Sequence, residues 1–338
     1  MSKVGKKKLI WIIVGVFLMS VALAGCGGGG KEAGGQKEAP KKLELLFATG
    51  GTAGTYYPLG GAIAQVWNSN YDKVNVTVQA SGASVENIRL LDSKDADLAL
   101  AMNNIADDAY KGVGSFKEGA KKNFLAVGVV YPEIMQGFVA ADSDIQTIAD
   151  LKGKKVAVGP TGSGTEITTH AIVQAYGLDF KEKKDFEPIY ATFADAVDQF
   201  KDGHVDAAWN ALAAPASAIV DVTTTKAIRF LEITGAELEK LQKDFPLVAP
   251  YTIPAGTYKG VDKDVQTVAL QAALYVRADM DEETVYNLTK IMYEKNTDIA
   301  KGHDMGKQIV IERALAGITT PIHPGAAKYY KEKGIQLP

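Results

Sequence analysis

The chain predicts an α/β fold built as two lobes facing one another across a cleft. Short β-rich runs alternate with helical patterns over much of its length, which is the signature of βαβ units and parallel sheets. Two similar strand-loop-helix openings stand about 110 residues apart, LLFATGGTAGTYYPLG from Leu45 and VAVGPTGSGTEITTHA from Val156. Of the 338 residues, 46% are hydrophobic and 23% charged, a globular composition with enough chain for one or two domains.

In order, strands are predicted at 43–48, 74–79, 98–102, 124–130, 155–159, 205–209 and 228–233. Helices are predicted at 58–68, where Pro58 suits a first turn, and at 84–91, 165–176 and 193–201. A late helical tract over 281–301 carries Leu288, Ile291, Met292 and Ile299 at near-helical spacing. His323-Pro324-Gly325 predicts a turn before a terminal helix. In open α/β sheets ligands bind outside the carboxyl ends of strands, so the two glycine- and threonine-rich openings place a site between the lobes.

The first residues carry an address. An apolar run over 9–24 follows Lys3, Lys6, Lys7 and Lys8 and ends in Leu23-Ala24-Gly25-Cys26, which reads as a lipoprotein signal over 1–25 with lipid on Cys26. An uncleaved anchor helix, and an incidental thiol beside an ordinary secretory site, are the competing readings. Residues 26–42, rich in Gly, Lys and Glu, read as a flexible tether. The folded part then works outside the cytoplasmic membrane, where chemistry needing cytosolic ATP or NAD is not expected. Cys26 is the one cysteine, so the fold is expected to be held by its core and not by an intrachain disulfide.

Charge narrows the partners. The chain holds 37 basic and 40 acidic residues; removing 1–25 takes away four lysines and leaves 33 against 40, a net of −7. No basic stripe is visible, which argues against nucleic acid.

The candidate site is assembled from turns. Thr49-Gly50-Gly51-Thr52-Ala53-Gly54-Thr55-Tyr56-Tyr57-Pro58 is dense in accessible N–H groups at a helix start, an anion cradle to which Thr49, Thr55 and Tyr56 add hydroxyls; a turn whose glycines merely satisfy positive φ is the plainer alternative. It lacks the GxxxxGK[ST] of a nucleotide loop and the GxGxxG of a dinucleotide site. In the turn at 79–87, Ser84 is placed to cap a helix and Ser81 is freer to face a ligand, while Asn103 offers an amide on the same rim. Ser163-Gly164-Thr165-Glu166 fits a capping box, with Thr165 pointing into the cleft. Trp209 ends a strand where an indole either walls a pocket or fills the core. Glu133 either pairs with a substrate ammonium or is a solvated carboxylate. The candidate loops contain no Arg or Lys, so a bound carboxylate would be held by neutral donors and helix dipoles.

Catalytic patterns are thin. His170, His204, His303 and His323 are scattered without HExxH spacing, and Ser163 is glycine-flanked without GxSxG or a local histidine base. Neither a metal nor a cofactor is expected, and the chain reads as a binder and not an enzyme.

With these residues in view, the chain resembles the TAXI-type substrate-binding proteins of TRAP transporters. The resemblance runs from Leu43 over essentially the whole remainder, on LFATGGTAGTYYPLGGAIA, ASGASVENIRLL, GPTGSGTE, YTIPAGTYKG and PIHPGAAKYYKEKG, with TGGTAGTYYP and HPGAAKYY together the most specific. It implies a type II periplasmic-binding-protein fold, each lobe a mixed, mostly parallel sheet flanked by helices and joined by a hinge. Residues 43–136 and 267–338 would form lobe I and 137–266 lobe II.

The implied cargo is a small carboxylate such as glutamate, glutamine or a related organic acid, delivered to a TRAP membrane permease. Thr49, Gly51, Thr55, Tyr56, Ser81, Ser84 and Asn87 carry over as contacts from the first lobe, and Ser163, Gly164 and Thr165 from the second. Met102-Asn103-Asn104 and Trp209-Asn210-Ala211-Leu212 depart from the family's usual pattern at the pocket wall, which bears on the identity of the ligand. Two further readings share the fold: a ligand sensor for a membrane signalling partner, and an enzyme like those of thiamine-pyrimidine synthesis.

Overall fold

The computed structural model describes residues 42–338. The predicted signal segment, Cys26 and the tether up to residue 41 lie outside the described residues. Ten strands run in the order β1 (Leu43–Ala48), β2 (Val74–Gln79), β3 (Leu98–Met102), β4 (Phe124–Ala140), β5 (Lys155–Ala157), β6 (Glu187–Ile189), β7 (Ala207–Leu212), β8 (Ile228–Phe230), β9 (Ala249–Ile253) and β10 (Val265–Arg277). The helices are α1 (Tyr56–Asn70), α2 (Ser84–Ser93), α3 (Asn103–Lys111), α4 (Gly164–Ala175), α5 (Phe193–Lys201), α6 (Ser217–Thr225), α7 (Gly235–Asp244), α8 (Glu282–Glu294), α9 (Asn296–Gly302) and α10 (Pro324–Glu332).

Pairing gives the order β2-β1-β3-β10-β4-β7-β5-β6, with β8 beside β4 and β9 beside β10. The outer strands pair in parallel, β1 with β2 and β3, and β5 with β6 and β7. The long central strands β4 and β10 are antiparallel to each other and to their other neighbours. A mostly parallel sheet therefore holds at the two ends and not at the centre. The ends repeat one plan, a β-α-β-α unit flanked by an antiparallel long strand, and the two openings noted in the sequence are the β1→α1 and β5→α4 turns.

The bounds of β1, β2 and β3 agree with the sequence reading, whereas β4 runs ten residues past its predicted end at Val130. Pro132 reads as a strand breaker because it has no N–H to donate. The ladder absorbs it: Pro132 pairs with Gln271, and a register shift follows at Ala272/Ala273. The predicted 281–301 helix is two helices, α8 and α9, separated at Lys295.

The core forms on both faces of the sheet. On one face Trp67 is fully buried and donates from Nε1 to the Leu288 carbonyl at 2.9 Å, tying α1 to α8. Gly128 of β4 leaves room for two hydroxyls: Tyr330 donates to the Val127 carbonyl at 2.6 Å and Tyr293 to that of Val129 at 3.0 Å. A Cβ at Gly128 would stand 2.3 Å from one of those oxygens and 2.4 Å from the other. The terminal helix stands where the sequence predicts it, after His323-Pro324-Gly325, and His323 also caps it, with Nδ1 accepting from the Gly325 N–H at 3.1 Å and Pro324 in the first turn.

Candidate functional site

A cavity of about 360 Å³ lies where the carboxyl ends of β1, β2, β5 and β6 turn into helices. Gly50–Tyr56 enter from the β1→α1 turn, Ala80–Ser84 from β2→α2, Pro160 and Ser163–Thr165 from β5→α4, and Thr192–Ala194 from β6→α5. Met102, Glu133, Ala211 and Leu212 complete the wall from β3, β4 and β7. A larger, more open depression of about 740 Å³ runs past Gln146, Arg229 and Asp264 and contains none of the residues singled out in the sequence. We place the site in the smaller cavity because the strand-to-helix turns converge there.

Four helices, α1, α2, α4 and α5, begin at this cavity. Their first-turn N–H groups have no acceptor within the helix, and each N-terminus carries roughly half a positive charge. The lining holds no Lys, Arg or His, so the charge-like donors it offers an anion are the backbone N–H groups of the helix starts. Hydroxyls supplement it. Ser163 accepts from the Glu166 N–H at 3.1 Å and Thr192 from the Asp195 N–H at 3.2 Å, two side-chain caps that order the α4 and α5 starts. Glu166 completes its half of the expected capping box one residue early, accepting from the Gly162 N–H at 2.5 Å.

Of the residues predicted for the site, Gly51, Thr55, Tyr56, Ser81, Ser84, Glu133, Ser163, Gly164 and Thr165 line the cavity. Four do not. Thr49 is fully buried and its hydroxyl donates to the Gln79 carbonyl at 2.7 Å. Asn87 donates to the carbonyls of Thr49 at 2.6 Å and Leu100 at 2.7 Å, and Ser81 donates to Asn87 Oδ1 at 2.6 Å. These bonds brace the glycine-rich turn from behind. Asn103 accepts from the Gln271 N–H at 3.0 Å and donates to the Gly317 carbonyl at 2.9 Å, so its amide is spent on packing α3 against β10. Trp209 is fully buried opposite Gly137 of β4, where a Cβ would stand 2.6 Å from the indole; the missing side chain gives the ring its place in the core.

Ser84 lines the cavity but does not cap α2. Ala83, not Ser84, occupies the cap position of α2, and the Ser84 hydroxyl accepts from the Met102 N–H at 3.1 Å instead. Sequence reasoning passed over Thr192, Phe193 and Ala194. Their signal was present: Thr192 followed three residues later by Asp195 is a second turn of the capped kind seen at Ser163, following a strand too short to be noticed.

Glu133 is the one charged side chain in the lining and is 4% exposed. Tyr56 donates to Oε2 at 2.8 Å and Tyr131 lies 3.2 Å from Oε1. Burial, only partly offset by these two hydroxyls, pushes the carboxyl up to about 8. Both tyrosines are pushed well above their ordinary range, first by burial and then by the charge of Glu133. The two sides of the cavity also touch directly. The Ala213 N–H donates to the Thr55 hydroxyl at 3.3 Å, and a Cβ on Gly164 would stand 2.1 Å from the Met102 sulfur.

Residues 47–334 match the model of the NMT1-like family. The chain belongs to the NMT1-like family. PhnD1 from Prochlorococcus marinus (MIT 9301), solved in complex with methylphosphonate, superposes with a TM-score of 0.55 at 10% identity, covering 87% of this chain and 99% of that one. A structure from Bordetella bronchiseptica RB50 superposes at 0.53 with 18% identity, covering 88% and 90%. With this likeness the NMT1-like chain has the α/β type II periplasmic-binding-protein fold, mixed sheet strands flanked by helices. A protein of Escherichia coli (strain K12), named for binding aliphatic sulfonates, is 41% identical over 96 residues, 27% of this chain and 28% of that protein's length. No helix among the described residues is long and apolar enough to cross a membrane.

Proposed function

We propose that this NMT1-like protein is the extracytoplasmic solute-binding component of a transporter, capturing a small solute with a compact anionic head and passing it to a membrane permease. The observation that carries the reading is the convergence of four helix N-termini on a cavity whose lining contains no cationic side chain. An anion there meets oriented N–H donors and hydroxyls from both proposed lobes. Catalysis is not part of the proposal.

Gly51, Thr55, Tyr56, Ser81, Ser84, Glu133, Ser163, Gly164 and Thr165 are the proposed contacts; Thr49, Asn87, Asn103 and Trp209 hold the frame behind them. Residues 43–136 with 267–338, and 137–266, are the two lobes proposed to close on the solute, with β4 and β10 crossing between them. Lipid on Cys26 would keep the protein beside its permease.

Two cargo chemistries share this site. The motif resemblance to TAXI-type proteins favours a carboxylate and a TRAP permease. The segment alike to the Escherichia coli protein favours a sulfonate. Calorimetric titration with amino acids, C4 to C6 organic acids and short alkanesulfonates tests the common claim and separates the arms. Saturable one-to-one binding by a member of either class is expected, and silence from every acid overturns the proposal. Mass spectrometry of membrane-extracted protein tests the anchor, which falls if the Gly25-Cys26 bond is intact and the thiol unmodified.

A further inference from the structure

Taking the anion-binding reading as its base, we infer that the cavity selects zwitterions: solutes whose anionic head lies at the helix N-termini and whose protonated amine pairs with the Glu133 carboxylate. Tyr56 and Tyr131 position that carboxylate. Three observations converge on Glu133. It lines the cavity while almost entirely removed from solvent. It forms no ion pair, since none of the salt bridges among the described residues includes it. Each of its oxygens has one tyrosine neighbour, leaving acceptor sites free, because an ionised carboxylate offers about four.

A carboxyl serving only to meet two tyrosines is poorly suited to this depth, where burial disfavours the charged form unless a cation pairs with it. In a cavity built for anions it would also repel the solute. An ammonium group on the solute removes both penalties, and a solute without one must meet either the like charge or a protonated carboxyl. The titratable groups facing Glu133 are Tyr56 from α1 and Tyr131 from β4; the lining from α2, α4, α5 and β7 adds none. Because burial raises the Glu133 carboxyl to about 8, an amine that pairs with its charged form near neutral pH should release a proton on binding.

The test compares L-glutamate with glutarate and taurine with ethanesulfonate, pairs that differ by the amine, titrated at pH 7 in phosphate and in Tris. In whichever pair binds, the aminated member is expected to bind about tenfold tighter or more, with heats that differ between buffers in the direction of proton release. In Glu133→Gln the preference should collapse and the buffer dependence vanish. Equal or tighter binding of glutarate or ethanesulfonate by the unsubstituted protein overturns the zwitterion inference while leaving anion binding intact, and this arm does not depend on the variant folding. Silence from all four acids while another unaminated acid of the panel binds overturns the zwitterion inference alone, and silence from the whole panel removes both readings.

Discussion

Tyr56 donates a 2.8 Å hydrogen bond to Glu133, joining the first residue of α1 to the middle of β4 across 77 positions of chain. The bond fixes where the glycine-rich turn meets the sheet. It also sets the polarity of the cavity: backbone donors around the walls and one tyrosine-held carboxyl facing the same space.

Glu133 makes the unliganded protein's stability depend on pH. Its carboxyl titrates near 4.5 when exposed and about 8 when folded, so the folded state holds the extra proton between those values. Stability should therefore fall as pH rises from about 4.5 to 8. His323, lowered chiefly by burial, drives stability the other way as pH falls. The difference between the unsubstituted protein and Glu133→Gln isolates the carboxyl: thermal melts across this range should show the variant gaining relative stability as pH rises. Parallel curves for the two proteins would remove the shifted carboxyl.

Gly164 lets the two sides of the cavity pack closely. A methyl group there would stand 2.1 Å from the Met102 sulfur and 3.2 Å from the Ser84 hydroxyl. Gly164→Ala should weaken solute binding roughly tenfold, the effect of an overpacking penalty of 1–3 kcal/mol. Adding Met102→Ala should recover part of the loss. Calorimetry on the single and double variants measures this coupling, and additive losses would contradict the contact.

Ser163 separates stability from binding. Its hydroxyl caps α4, so Ser163→Ala should cost about 1 kcal/mol in denaturant unfolding without any ligand. Ser163→Asp keeps the cap and should restore most of that stability, yet its charge at the cavity wall should weaken anion binding further than alanine does. Equal stability of all three proteins would show the cap to be idle.

Ala83 holds φ at +69° at the entry to α2, a backbone region that glycine tolerates and alanine resists. Strain of this kind costs on the order of 1–3 kcal/mol, against which glycine's greater unfolded-state freedom counts less than 1 kcal/mol. Ala83→Gly should thus raise the unfolding midpoint, and a lowered midpoint would mean that the turn is unstrained.

Much of this was legible because local chemistry and tertiary role agree. The β1→α1 and β5→α4 turns announce themselves through glycine, threonine and capping residues, and the sheet later places both at one cavity. Where a residue has two uses, the sequence cannot choose. Asn87 and Asn103 look like ligand amides, and only the fold reveals the carbonyls and N–H groups that consume them. β10 escaped notice because the run VALQAALYVR fits helix and buried strand alike, and its pairing with β3 and β4 decides the matter. Pro132 hid the second half of β4, and with it the strand setting of Glu133.

The central claim is that backbone dipoles, not side-chain cations, bind an anion in this cavity. Gly51 offers the most direct test, because a Cβ there meets nothing within 4 Å and Gly51→Asp adds one negative charge to the lining with little steric cost. Titrating the best-binding acid of the panel into both proteins, with unfolding midpoints as a control, should show affinity lost by about tenfold or more in the variant while its fold persists. Undiminished affinity in a folded Gly51→Asp protein would contradict the account.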